Sequence, residues 1–222
     1  MTFHGIQVRP YYRRRARPFL TLVTTLAVLA AATWTVVFTA TSGALGVPPC
    51  PTPPSGDPPG EVLSPDTLDD VTPAAPATVR VRVLNAGGQR GQANLVAAQL
   101  GDLGFSEAGE PANDSYFPDG DMECAGQLRF GDAGQAAAAT LSLVLPCTEL
   151  IRDGRTDDSV DVVIGTGFTN VRPKRAVRDV LDQLSSSSGT DGSENAGNVS
   201  EATSATPIVD PELLAQARER EC

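Results

Sequence analysis

The residue types that activate nucleophiles or bind soft metal ions are nearly absent from this chain of 222 residues. Its only histidine is His4, and its only lysine is Lys174. A Ser-His-Asp or Cys-His arrangement, or a histidine-ligated metal site, is therefore excluded from the body of the protein. No C-x-x-C pair occurs, so neither a zinc ribbon nor a thioredoxin-like site is indicated. We predict no catalytic residue, no metal ligand and no cofactor.

Carboxylates are the remaining candidates for chemistry, and they cluster within residues 153–161 and 119–123. Closely spaced carboxylates bind Ca²⁺ in some loops, and a pair of them cleaves glycosidic bonds in many hydrolases. The EF-hand spacing is absent, and the second cluster surrounds Gly120 as in a turn. Because the chain has 27 acidic residues, we interpret both clusters as solvated surface.

Three glycines, Gly87, Gly88 and Gly91, follow a predicted strand and precede a predicted helix. Backbone N–H groups in such a position bind phosphate in some folds. The pattern is neither G-x-G-x-x-G nor a P-loop, and no lysine follows it. We favour a tight turn between strand and helix, in which glycine adopts positive φ.

The four cysteines are Cys50, Cys124, Cys147 and Cys222, and an even number in an oxidising compartment predicts disulfides. Of the three possible pairings we prefer Cys124–Cys147 together with Cys50–Cys222. The first would tie the start of a strand to the end of the helix that follows it. The second would anchor a short C-terminal helix that is unstable alone. A free or intermolecular Cys222 is the alternative.

The charge distribution predicts one membrane anchor. Residues 1–56 contain five arginines and no acid, whereas residues 57–222 contain 12 basic and 27 acidic residues. An uncharged run from Phe19 to Ala40 separates the blocks and is long enough for a membrane-spanning helix. The arginines on its N-terminal side place residues 1–18 in the cytoplasm, residues 19–41 in the cell membrane and the rest outside. The alternatives are a signal peptide cleaved near Ser42 and a lipoprotein acylated on Cys50. The net charge of −10 argues against nucleic acid.

The outer part divides by composition. Prolines concentrate in residues 42–77, which we predict to be a stalk. Residues 78–184 alternate strand and helix patterns in the order strand, helix, strand, strand, helix, strand. This order predicts an α+β domain of the split βαβ type, a ferredoxin-like βαββαβ sandwich. We expect residues 185–206 to be a disordered Ser/Gly-rich linker and residues 207–222 a helix ending in cysteine.

The segment from Val79 to Gly91, VRVRVLNAGGQRG, resembles the LytR C-terminal-type domain of bacterial cell-envelope proteins. The later segments QLRFGDAGQAAAATLSLVLPCTEL (127–150) and DDSVDVVIGTGF (157–168) resemble an actinobacterial family of envelope integrity proteins. The resemblance implies a LytR C-terminal-like domain over residues 78–184 and a role in maintaining the envelope. It offers no enzymatic residue to carry over.

These observations predict a non-enzymatic, single-pass, extracytoplasmic protein that contributes to cell envelope integrity. Its partner would be a cell-wall polymer or another envelope protein. Arg80, Arg82 and Arg129 are the candidate polymer contacts, since guanidinium groups suit phosphate and carboxylate.

Two alternatives stay open for the function. A carboxylate-based cell-wall hydrolase or transferase would use Asp121, Glu123, Asp153 or Asp161. A third possibility is a partner within the membrane that contacts the anchor helix.

Overall fold

The computed structural model describes residues 16–42, 49–188, 209–220 and 222. The chain divides into two compact units, Met1–Gly46 and Val47–Cys222. In the first unit, helix α1 spans Ala16–Ser42. Its described side chains, residues 20–33, are all exposed. Among the described residues, no helix combines the length and the apolarity that crossing a membrane requires. Residues 1–15 of the predicted cytoplasmic tail lie outside the described residues.

The second unit is a mixed seven-stranded sheet with helices. The strands lie in the order β1-β6-β5-β7-β2-β3, and β4 also pairs with β2. The elements in chain order are β1 Glu61–Leu63, β2 Arg80–Asn85, α2 Gln92–Asp102, β3 Ser106–Glu107, β4 Ala112–Asn113, β5 Gly126–Phe130, α3 Gln135–Val144, β6 Glu149–Arg152, β7 Val160–Ile164, α4 Arg175–Ser188 and α5 Pro211–Arg218.

The strand order corrects the predicted split βαβ sandwich, although the α+β class is confirmed. In a split βαβ fold another strand separates the two strands that each helix connects. Here β2 pairs directly with β3, and β5 pairs directly with β6, both in parallel. The deciding element is β6, Glu149–Arg152, which takes the place beside β5. Strand β7 therefore inserts between β5 and β2, antiparallel to the first and parallel to the second.

The main core lies on the face of the sheet that carries the helices. Alternate strand residues such as Val81, Leu128 and Val162 pack there with Leu141 of α3 and Val180 of α4. The opposite face, here called the open face, carries Arg80, Arg82 and Asp161 from the intervening positions, and loops cover part of it. A smaller cluster under these loops contains Leu84, Ala86, Phe117, Met122, Cys124 and Val163. Burying one set of alternate residues leaves the other set to form a polar surface.

The predicted stalk is wrong for residues 49–77, because this segment packs on the sheet and helices. Strand β1 pairs antiparallel with β6 at the sheet edge, and Leu68 is only 2% exposed in the core. The Ala74 N–H donates to the carbonyl of Ala136, 3.1 Å away, and the Thr140 hydroxyl donates to the carbonyl of Ala74. The leucines among the prolines complete the core, and burying them outweighs the extended preference of proline.

The C-terminal helix starts as its sequence predicts. The Asp210 side chain accepts hydrogen bonds from the backbone N–H groups of Glu212 and Leu213, and Pro211 is the first helical residue. Ala217 is buried against the core. Of the predicted linker, residues 185–188 continue α4, which corrects the expectation there, and residues 189–206 lie outside the described part of the chain.

The disulfide pairing also corrects the prediction. The structure joins Cys50 to Cys124, with a Cα–Cα distance of 4.9 Å, and Cys147 to Cys222, with 5.4 Å. Cys124 and Cys147 lie at the same end of the sheet, but Cys124 belongs to the open-face cluster, whereas Cys147 closely follows Leu145 of the helix-side core. Each of the two is bonded instead to a cysteine from one end of the second unit, so the predicted bridge does not form. Because its sulfur is in a disulfide, Cys50 is not available for acylation.

Candidate functional site

A row of charged residues crosses the centre of the open face. In the strand register, Arg82 of β2 lies beside Asp161 of β7, and Asp161 lies beside Arg129 of β5. These three residues come from strands that the sheet order makes neighbours. A basic, an acidic and a basic side chain therefore lie next to one another at the middle of the sheet.

Asp161 is the shared acceptor of two arginines. Arg82 donates from Nε to Oδ1 at 2.9 Å and from Nη2 to Oδ2 at 2.6 Å. Arg155, from the loop between β6 and β7, donates from Nη2 to Oδ2 of Asp161 at 2.7 Å and also to Asp153. Burial alone would raise the pKa of Asp161, but hydrogen bonds from Arg82 and Arg155 outweigh it and lower this pKa. Asp161 therefore stays ionised.

The counterpart on β5 is a buried ion pair. Arg129 is 3% exposed, and its Nη1 donates to Oδ1 of Asp114 at 2.6 Å. Its Nε donates to Oε1 of Gln127 at 3.0 Å. The guanidinium carbon lies 4.9 Å from the centre of the Tyr116 ring. These contacts bring the loop between β4 and β5 onto the sheet.

These groups line an open cavity of about 480 Å³, here called the open-face cavity. Its walls come from the loop after β4, the loop between β6 and β7, and the faces of β2, β5 and β7. Three arginines and four aspartates line it, together with two serines and one tyrosine. The lining residues are Pro59, Arg82, Leu84, Ala108, Asp114, Ser115, Tyr116, Arg129, Asp153, Gly154, Arg155, Asp157, Ser159 and Asp161.

The structure brings together two of the three predicted polymer contacts. Arg82 and Arg129 line the open-face cavity, whereas Arg80 lies outside its lining and pairs with Asp158 at 3.3 Å. The side chain of Arg82 is 47% exposed, but that of Arg129 is buried. Each arginine thus already holds an aspartate of this chain.

The acidic residues considered for hydrolysis do not meet in one place. Asp153 and Asp161 line the cavity, joined by Arg155, whereas Asp121 and Glu123 are exposed and lie outside its lining. A general acid needs a raised pKa, and the pKa of Asp161 moves in the other direction. Among the described residues, no group of three or more His, Cys, Asp or Glu is placed to hold a metal ion.

Sequence reasoning missed Asp114, Tyr116 and Arg155 as lining residues. Asp114 and Tyr116 lie in a polar loop without periodicity, and no sequence signal places such a loop over the sheet. Arg155 stands between acids, at Asp153 and Asp157, and this alternation of charge was the one available hint of an ion-pair network.

The glycine turn after β2 is a structural turn. Gly88 has φ of 71° and Gly91 has φ of 77°. The Asn85 side chain accepts from the N–H of Gly87 and donates to the carbonyl of Gln89. A Cβ on Gly120 would lie 2.4 Å from the Cα of Gly88, so two loops meet here at backbone contact. Glycine is needed for this approach.

Comparisons with known proteins show the family of this chain. The family model described as LytR cell envelope-related transcriptional attenuator matches residues 78–168. The cell envelope integrity protein Cei of Mycobacterium tuberculosis (strain ATCC 25618 / H37Rv) is 43% identical over 173 residues, which cover 76% of this chain and 78% of that protein. The chain belongs to the Cei family.

A solved relative has a similar structure. It is the soluble domain of a conserved hypothetical secreted protein from Mycobacterium marinum, with 42% identity and a TM-score of 0.61. The match covers 75% of this chain and all of that domain. The Cei relationship and the solved domain both extend beyond the residues that the LytR family model matches.

Proposed function

We propose that this protein is a membrane-anchored, extracytoplasmic and non-enzymatic component of the cell envelope that maintains envelope integrity by binding a cell-wall polymer. The polymer lies on the open face, with Arg82 and Arg129 in the open-face cavity and Arg80 beside it on β2. The observation that carries this proposal is the cavity of about 480 Å³, whose charged floor is held by three neighbouring strands.

Three observations support the proposed location. The arginines before residue 18 and the uncharged run after them fit an anchor whose N-terminus is cytoplasmic. The two disulfides of the second unit fit an oxidising compartment. One relative is named for cell envelope integrity, and the other is described as a secreted protein.

Binding agrees with the site better than catalysis does. The cavity carboxylates of Asp114, Asp153 and Asp161 each accept hydrogen bonds from arginine, which fixes their positions. A fixed array of donors and acceptors is suited to recognition. A hydrolase would need one carboxyl group that holds a proton near neutral pH.

The test is retention of the purified full chain on isolated cell wall at low salt. We expect the wild-type chain to sediment with the wall and the double variant Arg80→Gln/Arg82→Gln to bind at least about tenfold more weakly, since charge-assisted hydrogen bonds are lost. Arg90→Gln is the matched control, because Arg90 is exposed in the glycine turn and lies outside the open-face cavity. Absence of wild-type retention would contradict polymer binding.

A further inference from the structure

We propose that the open-face cavity binds a neutral, hydroxyl-rich stretch of glycan, and not the phosphate or carboxylate groups of a wall polymer. This inference rests on the proposed function and specifies its ligand. It reverses the expectation from sequence, in which exposed arginines recognise anions.

The guanidinium groups of the arginines that line the cavity are already bound to carboxylates. Arg82 holds Asp161 through two hydrogen bonds of 2.9 and 2.6 Å. Arg129 holds Asp114 at 2.6 and 3.3 Å, and Arg155 holds Asp153 and Asp161. A bidentate guanidinium that already binds a carboxylate has no free fork for a phosphate. An incoming anion would have to displace an aspartate that belongs to the fold.

The charge of the cavity lining also disfavours an anionic ligand. Four aspartates and three arginines line the cavity, so its formal charge is negative. The surrounding unit has the same sign, because residues 57–222 contain 27 acidic and 12 basic residues. Like charge raises the free energy of bringing an anion into the site. A neutral ligand has no such cost.

Hydrogen-bonding positions remain available in the cavity. A carboxylate offers about four acceptor positions and a guanidinium five N–H donors, and the ion pairs leave some of each unused. The donors and acceptors that a ligand can reach belong to Arg82 and Asp157, which are exposed, and to Arg155 and Asp153, which are partly buried. A hydroxyl group both donates and accepts, so adjacent sugar hydroxyls match such a surface. Beneath these groups, Asp114, Arg129 and Asp161 are at most 3% exposed and support them through ion pairs and packing.

The aromatic ring in the lining and the size of the cavity suit a sugar. Tyr116 is half-buried at the rim, and its ring is fixed over the guanidinium of Arg129. An aromatic ring offers an apolar surface to the C–H face of a sugar. The cavity volume of about 480 Å³ lies within the range of roughly 300–1,000 Å³ that small-molecule sites occupy. A short oligosaccharide segment fits these dimensions.

The experiment uses oligosaccharides released from isolated cell wall by partial acid hydrolysis. An anion exchanger separates them into a neutral and an anionic fraction. Each fraction competes with intact wall for the purified full chain, at low salt and at about 0.5 M salt, where the screening length falls below 10 Å. We expect the neutral fraction to displace the chain and the anionic fraction to need at least tenfold more sugar. Salt should change competition by the neutral fraction less than about twofold.

Matched variants assign the binding to the cavity. Arg82→Gln and Tyr116→Ala should each weaken competition by the neutral fraction at least fivefold. Arg90→Gln removes the same kind of side chain from the exposed glycine turn, outside the cavity lining, and should leave competition unchanged. Thermal unfolding of each variant checks that it is folded. Amide NMR shifts of the wild-type chain with the neutral fraction must map to the cavity-lining residues, whether or not a variant folds.

The outcomes separate this inference from the proposed function. If only the anionic fraction or high salt releases the chain from the wall, the proposal of a neutral ligand is wrong, but polymer binding still stands. An equal effect of Arg90→Gln and Arg82→Gln, or NMR shifts outside the cavity, would overturn the cavity as the site. No retention on the wall would remove both proposals.

Discussion

At the scale of single residues, Asp161 is the centre of the ion-pair network on the open face. It lies between Arg82 and Arg129 in the strand register and accepts from Arg82 and Arg155. Burying a charged group is costly unless partners satisfy it, and here two guanidinium groups do so. This network fixes the positions of the charged side chains on the cavity floor, because each of them is the ion-pair partner of another.

We predict that Asp161→Asn destabilises the protein and reduces its acid sensitivity. The folded pKa of Asp161 lies below its ordinary value of 3.8, so the stability it contributes is present above about pH 4 and is lost as pH falls through the folded pKa. Near pH 7 the variant should lose about 2–4 kcal/mol of unfolding free energy. Below about pH 4 the difference from the wild-type chain should shrink. Urea unfolding at several pH values measures the loss of unfolding free energy and how it changes with pH.

Asp158→Asn is the control for this prediction. Asp158 and its partner Arg80 are both more than half exposed, and surface ion pairs contribute about 0–1 kcal/mol. A constant difference between the Asp161→Asn variant and the wild-type chain from pH 7 to pH 3 would show that Asp161 is not stabilised by its arginines.

At the scale of elements, the segment before the first predicted strand belongs to the fold. Strand β1 extends the sheet beyond β6, and Leu68 lies in the main core. The C-terminal residues reach the same segment, since Arg218 donates to the carbonyl of Val71 and Arg220 pairs with Asp69 at 2.7 Å. The proline-rich segment therefore links the sheet edge to the C-terminus.

We predict that Leu68→Ala lowers the unfolding free energy by about 2–4 kcal/mol, because it removes a fully buried side chain and leaves a cavity. Leu95→Ala on α2 is the matched control, since Leu95 is 60% exposed and should change stability by less than about 1 kcal/mol. Denaturant unfolding of the two variants measures the difference. Equal and small effects would mean that residues 49–77 are a free spacer after all.

At the scale of the whole molecule, two disulfides fasten both ends of the second unit. Cys50–Cys124 spans 74 residues and Cys147–Cys222 spans 75. Closing loops of this length reduces the entropy of the unfolded chain, by about 4.5 kcal/mol each in the chain-entropy model. The second bridge ties the chain after α5 to the segment between α3 and β6, and α5 itself packs against α4. A helix as short as α5 does not persist alone.

Peptide mapping without reduction of protein from intact cells should recover Cys50 linked to Cys124 and Cys147 linked to Cys222. The double variants Cys50→Ser/Cys124→Ser and Cys147→Ser/Cys222→Ser should each lose about 2–5 kcal/mol of unfolding free energy. In the second variant, hydrogen exchange should rise first in α5. A peptide that joins Cys124 to Cys147, or reduced cysteines in intact cells, would contradict the structure.

Much of the local structure was predictable from the chain alone. The alternation at Val79–Val83 located β2, the glycines located the turn before α2, and Asp210-Pro211 located the start of α5. These signals depend on neighbours within one or two turns of chain, which a sequence displays directly.

The candidate site was predictable only in part. Arg82 and Arg129 were chosen as exposed strand residues, and both line the cavity, but their partners Asp161 and Asp114 were not foreseen. Arg82 and Asp161 are 79 residues apart and become neighbours only because β7 lies beside β2. Residue types alone therefore suggested that both guanidinium groups were available to bind anions.

The sequence by itself determined most of the helices and the longer strands, that histidine chemistry is absent from the body of the protein, and that the chain resembles an envelope family. Tertiary structure decided the order of the strands, the pairing of the cysteines and the partner of each arginine. The physical reason is that periodicity records which face of a segment is buried, but not against which distant segment it is buried. Inserting β7 between β5 and β2 set these long-range contacts, and with them the cavity.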